Sequence, residues 1–168
     1  MQNIELKARY PDLGEARKRV ELLGARFDKR IHQIDTYFKV PTGRLKLREI
    51  QGNLAQLIYY LRPDRADFKL SEYEIYTLND GVEKLKMILS ECLGVYKVVE
   101  KIREVFWYKN IRIHLDQVKG LGNFLEFEGV LKSRSDETAT HKELILLQKH
   151  FHIPEEALIE MSYADIQT

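Results

Sequence analysis

Three short stretches of the chain place a charge on every second residue. Arg44, Lys46 and Arg48 alternate with Leu45 and Leu47. Arg112, His114 and Asp116 alternate with Ile113 and Leu115, and Glu126 and Glu128 flank Phe127. Side chains of a strand alternate sides with a period of two, so each stretch, as a strand, has one apolar side and one charged side. Arginine offers paired donors to phosphate oxygens and lysine a point charge. Carboxylates offer oxygen ligands to a hard cation such as Mg2+, which commonly joins a few of them to substrate phosphates. Cations and carboxylates mixed on one face therefore suit a metal-bound polyphosphate better than plain solvent.

The elements that must carry these residues follow from periodicity and punctuation. Residues 2–10 alternate as a first strand, with Ile4 and Leu6 on one side and Asn3, Glu5 and Lys7 on the other. Asp12 is placed to cap a helix whose Leu13, Ala16, Val20 and Leu23 recur at helical spacing, with Gly24 as its stop. Strands are expected at 27–39, 44–50, 54–62 and 70–77, the middle pair joined by the tight loop Gln51-Gly52-Asn53. Val82, Leu85, Ile88, Leu89 and Leu93 make a second helical stripe ending at Gly94. Strands 96–108, 111–118 and 123–131 follow, then a helix over 137–151 capped by Ser135 or Asp136, and a short helical tail from Pro154. The short loops call for antiparallel pairing. Eight strands can close into a barrel without free edges.

In an ordinary barrel the apolar faces point inward. Here three helices with apolar stripes need a partner, and the apolar strand faces are what the chain offers. The expected fold is therefore α+β: a single domain over 1–168, an eight-stranded antiparallel tunnel with a charged interior and helices packed outside. Charges can face inward only if paired, hydrated or coordinating something. The inward cations are Lys7, Arg44, Lys46, Arg48, Arg62, Lys101, Arg103 and Arg112; the inward carboxylates are Glu5, Asp116, Glu126 and Glu128. The surplus of positive charge is of the size that a triphosphate would balance.

Composition narrows the alternatives. With 168 residues, 44% apolar and 32% charged, the chain can bury a real core. A net charge of +1 gives no long-range pull on nucleic acid or a membrane surface. No apolar run reaches the roughly 18 to 20 residues of a membrane span. The N-terminus shows no secretory h-region, and one cysteine excludes an intrachain disulfide, so a cytoplasmic setting is expected. Cys92 sits in an apolar helical pattern and reads as a buried structural thiol. Phe106, Trp107 and Tyr163 read as packing residues, and His141, His150 and His152 as surface ones. Asp35 and Tyr37 fit either sheet packing or a site.

Several blocks resemble one family in order along nearly the whole chain. Asn3-Ile4-Glu5-Leu6-Lys7 is similar to the N-terminal Glu-x-Glu-x-Lys signature of the CYTH superfamily, the triphosphate tunnel metalloenzymes. Gln33-Ile34-Asp35-Thr36-Tyr37-Phe38, Gly43 to Glu49, Lys101-x-Arg103, Arg112-x-His114-x-Asp116, Leu121-Gly122 with Glu126-x-Glu128, and Ser162-Tyr163 look like its later blocks. The blocks look closest to the class IV adenylate cyclase-like branch, beside thiamine triphosphatases and inorganic triphosphatases. One position departs: Asn3 stands where the signature has its first acidic residue, and a neutral amide oxygen is a weaker ligand for Mg2+.

The resemblance implies a Mg2+ or Mn2+ cofactor on Glu5, Asp116, Glu126 and Glu128. It implies phosphate binding by Lys7, Arg44, Lys46, Arg48, Arg62, Lys101, Arg103, Arg112 and His114, with Lys7, Lys46, Lys101 and Arg103 acting on the reaction. The implied substrate is ATP, thiamine triphosphate or tripolyphosphate, handled by a monomer or homodimer. Triphosphate hydrolysis is narrowly favoured over cyclisation of ATP, and a non-catalytic binding module and a purely structural β domain stay open. No adenine-reading motif stands out, although Tyr37 or Tyr60 could stack on a base.

Overall fold

The computed structural model describes residues 2–52, 54–61 and 69–166. Its strands are β1 (Gln2–Arg9), β2 (Arg26–Phe38), β3 (Arg44–Ile50), β4 (Ala55–Leu61), β5 (Lys69–Leu78), β6 (Val95–Tyr108), β7 (Ile111–Val118) and β8 (Gly122–Leu131). Its helices are α1 (Leu13–Leu23), α2 (Val82–Leu93) and α3 (Glu137–His150). The strands close into one antiparallel barrel in the order β1-β5-β4-β3-β2-β6-β7-β8. Helix α1 starts where the Asp12 carboxylate accepts the Glu15 amide at 3.0 Å, and it stops at Gly24 in a left-handed conformation. Strand ends differ from the expected ones by a residue or so, as frayed ends do.

The barrel is inverted, as the alternation requires. The outward residues Ile4, Leu6, Ile113, Leu115, Leu125 and Phe127 are buried under α1 and α3 through Val20, Leu144, Leu147 and Phe151. Helix α3 lies so close to β8 that a Cβ on Gly129 would sit 2.3 Å from the Thr140 methyl. Helix α2 covers Phe38, Leu47 and Ala55 with Val82, Leu85, Leu89 and Leu93. It buries only that stripe. Ile88, expected within it, is 46% exposed, and Cys92 is exposed rather than buried.

The tail corrects another expectation. It forms one 3-10 turn, Glu155–Ala157, is extended at Leu158, and turns again where the Asp165 amide donates to the Ser162 carbonyl at 3.0 Å. Leu158 bridges Ala8, and the Ile159 amide donates to the Lys7 carbonyl at 2.9 Å, beyond the point where β1 stops pairing with β5. Tyr163, Ala164 and Ile166 then pack with Tyr37, Tyr60, Val99, Val118 and Phe124. One end of the barrel is thus filled from inside by the chain's own tail.

Candidate active site

The barrel encloses a cavity of about 430 Å³ lined by residues of all eight strands and by Ser162 and Tyr163 of the tail. Two buried arginine–aspartate forks organise its wall. Arg48 donates to Asp35 through Nε at 2.9 Å and a terminal nitrogen at 3.0 Å, and Lys46 Nζ reaches the same carboxylate at 3.1 Å. Arg103 grips Asp116 at 2.6 and 2.5 Å, with Lys101 at 3.7 Å and the Tyr163 hydroxyl donating at 2.7 Å. Asp35 is 1% and Asp116 0% exposed. Such pairs do little for stability by comparison with apolar packing, but they hold guanidinium groups in fixed directions.

The pairs follow from register. Strands β2 and β3 set Asp35 opposite Arg48 and Tyr37 opposite Lys46, while β6 and β7 set Arg103 opposite Asp116. The aromatic rings are part of the cationic wall. Lys7 lies 4.1 Å and Lys101 4.8 Å from the Tyr163 ring centre, and Lys46 lies over both Tyr37 and Tyr60.

Burial and crowding change the lysines. Desolvation, then the charge of Arg103, lowers Lys101 to about 7, and desolvation with Arg48 lowers Lys46 to about 8. The carboxylates move in the opposite sense. Burial alone would raise Asp35, Asp116 and Glu126. Arg48 and Lys46 around Asp35, Arg103 and Lys101 around Asp116, and Lys7 and Arg103 around Glu126 outweigh it, and all three are held below the usual carboxylate range.

A second wall carries carboxylates. Glu126 meets Lys7 at 3.1 Å and the imidazole of His114 at 3.2 Å, and Glu128 meets Arg112 at 2.8 Å. Glu5 stands directly opposite Glu128 on β1 and β8, a like-charged juxtaposition that a cation between them would relieve. Asn3 donates its amide to Glu128, and its own Oδ1 is buried with no hydrogen-bond partner. The Asn3 oxygen and the Glu5 and Glu128 carboxylates, on the inner faces of neighbouring β1 and β8, are hard oxygen donors of the kind Mg2+ or Mn2+ prefers. Among the described residues no three or more acidic, imidazole or thiol groups are arranged to hold a metal ion as they stand; His114 lies between Glu126 at 3.2 Å and Glu128 at 3.7 Å, and Lys7 and Arg112 pair with the same two carboxylates.

Of the residues singled out from sequence, Glu5, Lys7, Lys46, Arg48, Lys101, Arg103, Arg112, His114, Glu126 and Glu128 line this one cavity. Two are placed otherwise than expected, and a third is not among the described residues. Asp116 lies behind the lining with its oxygens taken by Arg103 and Tyr163, which leaves it a positioning group. Arg44 turns to Asp165 of the tail at 2.8 Å, and Arg62 lies outside the described residues. Asp35, left undecided between packing and site, belongs to the inner wall with Lys46 and Arg48, and it lowers the expected positive surplus by one charge. Tyr163 and Trp107 face the cavity instead of serving only as packing. Trp107 shares the inward period of Lys101 and Arg103 on β6, a signal present in the sequence.

The profile of the CYTH domain family matches residues 1–163. The chain belongs to the CYTH domain family. Its members are adenylate cyclases or triphosphatases that work with a metal in a tunnel, and a triphosphate-related activity comes with that membership. A Methanocaldococcus jannaschii protein, provisionally named an adenylate cyclase, is 26% identical over 99% of both chains. A Pyrococcus horikoshii structure superposes with a TM-score of 0.83 at 22% identity, covering 99% of each chain. A Vibrio parahaemolyticus structure, also provisionally named an adenylate cyclase, gives 0.78 at 22% identity over 96% of this chain and 94% of its own. No helix among the described residues is long and apolar enough to cross a membrane.

Proposed function

We propose that the chain is a divalent-metal-dependent triphosphatase. The observation that carries this reading is the set of four buried cations, Lys7, Lys46, Lys101 and Arg103, with the half-buried Arg48, facing one cavity. Bound phosphates would replace water around them with fixed donors, and those donors stabilise charge as it builds on the transferred group. Asp35 and Asp116 keep Arg48 and Arg103 aimed. With its pKa lowered to about 7, Lys101 is partly neutral in the empty cavity, and the polyanion, once bound, would restore its proton and place a fixed positive charge beside the transferred phosphate.

Glu5, Glu126 and Glu128, with the Asn3 amide oxygen, would hold the metal, and Arg112 and His114 orient two of those carboxylates. When bound, the metal supplies charge neutralisation and polarises a phosphoryl oxygen. A second reading, cyclisation of ATP, is favoured by one observation. Glu128 and Arg112 share a cross-strand row with Trp107, four residues along β6 from Arg103, where they would meet the phosphate nearest to an organic group entering from that side. Product analysis with Mg2+ and with Mn2+ on ATP, thiamine triphosphate and tripolyphosphate tests both. Orthophosphate supports hydrolysis, cyclic AMP with pyrophosphate supports cyclisation, and tight binding without product leaves a binding module.

A further inference from the structure

The two ends of the cavity differ in chemistry. At the tail end Ser162 and Tyr163 are 4% and 3% exposed, and Asp165 ties the tail to Arg44 at 2.8 Å and to the Tyr96 hydroxyl at 2.8 Å. At the opposite end the lining includes the exposed Asp28, Lys29 and Ile75, so this is where the cavity meets solvent. The inward residues change character there. Ile31, Ile50, Ile75, Val105 and Trp107 all line the cavity, on strands whose outer faces already bury apolar residues. A bare phosphate chain gains nothing from such a collar.

Trp107, Arg112 and Glu128 form one cross-strand row on β6, β7 and β8. The Arg112 guanidinium lies over the indole, 5.6 Å from the ring centre, and Glu128 fixes it at 2.8 Å. Trp107 is four residues beyond Arg103 on the same face of β6, about 13 Å by strand rise, a span that matches a triphosphate and a sugar. Tyr37 and Tyr60, the stacking candidates from sequence, are deep among the lysines instead, where a ring would compete with phosphate.

We propose that Trp107 is a specificity-determining shelf on which a neutral aromatic base joined to the triphosphate stacks, making the substrate a nucleoside triphosphate. This rests on the reading of the cavity as a triphosphate site. Arg112 is neutralised by Glu128, so charge does not select the ring; a purine base offers the indole a larger stacking face than a thiazolium. Stacking on an aromatic side chain is sequence-tolerant and strengthens binding about fivefold to a hundredfold per base.

Trp107 is the single tryptophan of the chain, so its fluorescence reports the shelf directly. ATP, thiamine triphosphate and tripolyphosphate are each mixed with the protein and Mg2+ by stopped flow and read before turnover, with affinities measured in parallel for wild type, Trp107→Phe and Trp107→Ala. ATP is expected to quench the indole strongly and tripolyphosphate weakly. Trp107→Ala should weaken ATP about fivefold to a hundredfold, shift tripolyphosphate less than about twofold, and be rescued in large part by phenylalanine. Equal losses for ATP and tripolyphosphate, or no loss for either, overturn the shelf while leaving the triphosphate site standing. A loss confined to thiamine triphosphate overturns the neutral base. Failure of the wild type to bind any of the three removes the triphosphate site and the shelf with it.

Discussion

Replacing Asp116 by asparagine removes one charge and keeps the shape. In the wild type that carboxylate is 0% exposed and accepts from Arg103 at 2.6 and 2.5 Å and from Tyr163 at 2.7 Å, with Lys101 at 3.7 Å. Without it Arg103 stays buried with only Glu126, 3.5 Å away and shared with Lys7, as counter-charge. Breaking a buried ion pair from one side costs about 3 to 5 kcal/mol, and the remaining amide oxygen places this case near the lower figure, about 3 kcal/mol. For a chain of this size each kcal/mol moves the melting temperature by about 2 to 4 °C, so a drop of about 6 to 12 °C is expected. The assay is thermal unfolding at pH 7, repeated in low and high salt. The drop should persist in high salt, because a buried pair is poorly screened. The same change removes the anion that supports the charge of Lys101, whose pKa then falls further below about 7, and the basic limb of the kcat/KM profile moves to lower pH. A drop of less than about 2 °C, or an unmoved basic limb, would refute the assignment of Asp116 as the counter-ion of this wall.

Three further outcomes are expected. Glu126→Gln should lose at least about a hundredfold in metal-dependent turnover with its far-UV circular dichroism unchanged, and wild-type rates would remove Glu126 from the metal site. Lys101 at about 7 and Lys46 at about 8 lie below the unfolded value of 10.5, so between those limits the unfolded chain binds more protons and stability rises with pH. Melting temperature should therefore climb from pH 7 to pH 9 in a buffer series, and Lys101→Met should flatten the climb. On the acid side the contribution of Asp35 and Glu126 is present above the ordinary carboxylate range and is lost only as pH falls through their lowered values, so it should survive at pH 4 in the same series. Gly129→Ala drives a methyl into Thr140 of α3 and should cost about 1 to 3 kcal/mol in denaturant unfolding, partly restored by adding Thr140→Ser, which deletes the clashing methyl and keeps the hydroxyl that Asn110 binds.

Much of this arrangement was legible from single residues and their spacing. A period of two is local, so Lys46 and Arg48, or Glu126 and Glu128, must share a face whatever the strands pair with, and helical stripes with no other partner force the apolar strand faces outward. The ordered blocks from Asn3 to Tyr163 carry the family resemblance on the same residues. What tertiary structure decided is which charges meet. Asp35 becomes a counter-ion only because β2 and β3 pair in the register that sets it opposite Arg48, and Arg44 leaves the phosphate wall only because the tail returns with Asp165. Cys92 reads as buried from its apolar neighbours, but a helix on a barrel's outer surface buries one stripe and exposes the rest. The lowered lysines depend on burial and on repulsion from Arg48 of β3 and Arg103 of β6, which outweigh the attraction of Asp35 on β2 and Asp116 on β7. A strand's pattern specifies its two faces, whereas pairing, closure and the seating of the tail, all long-range, determine what each inward charge finds across the cavity.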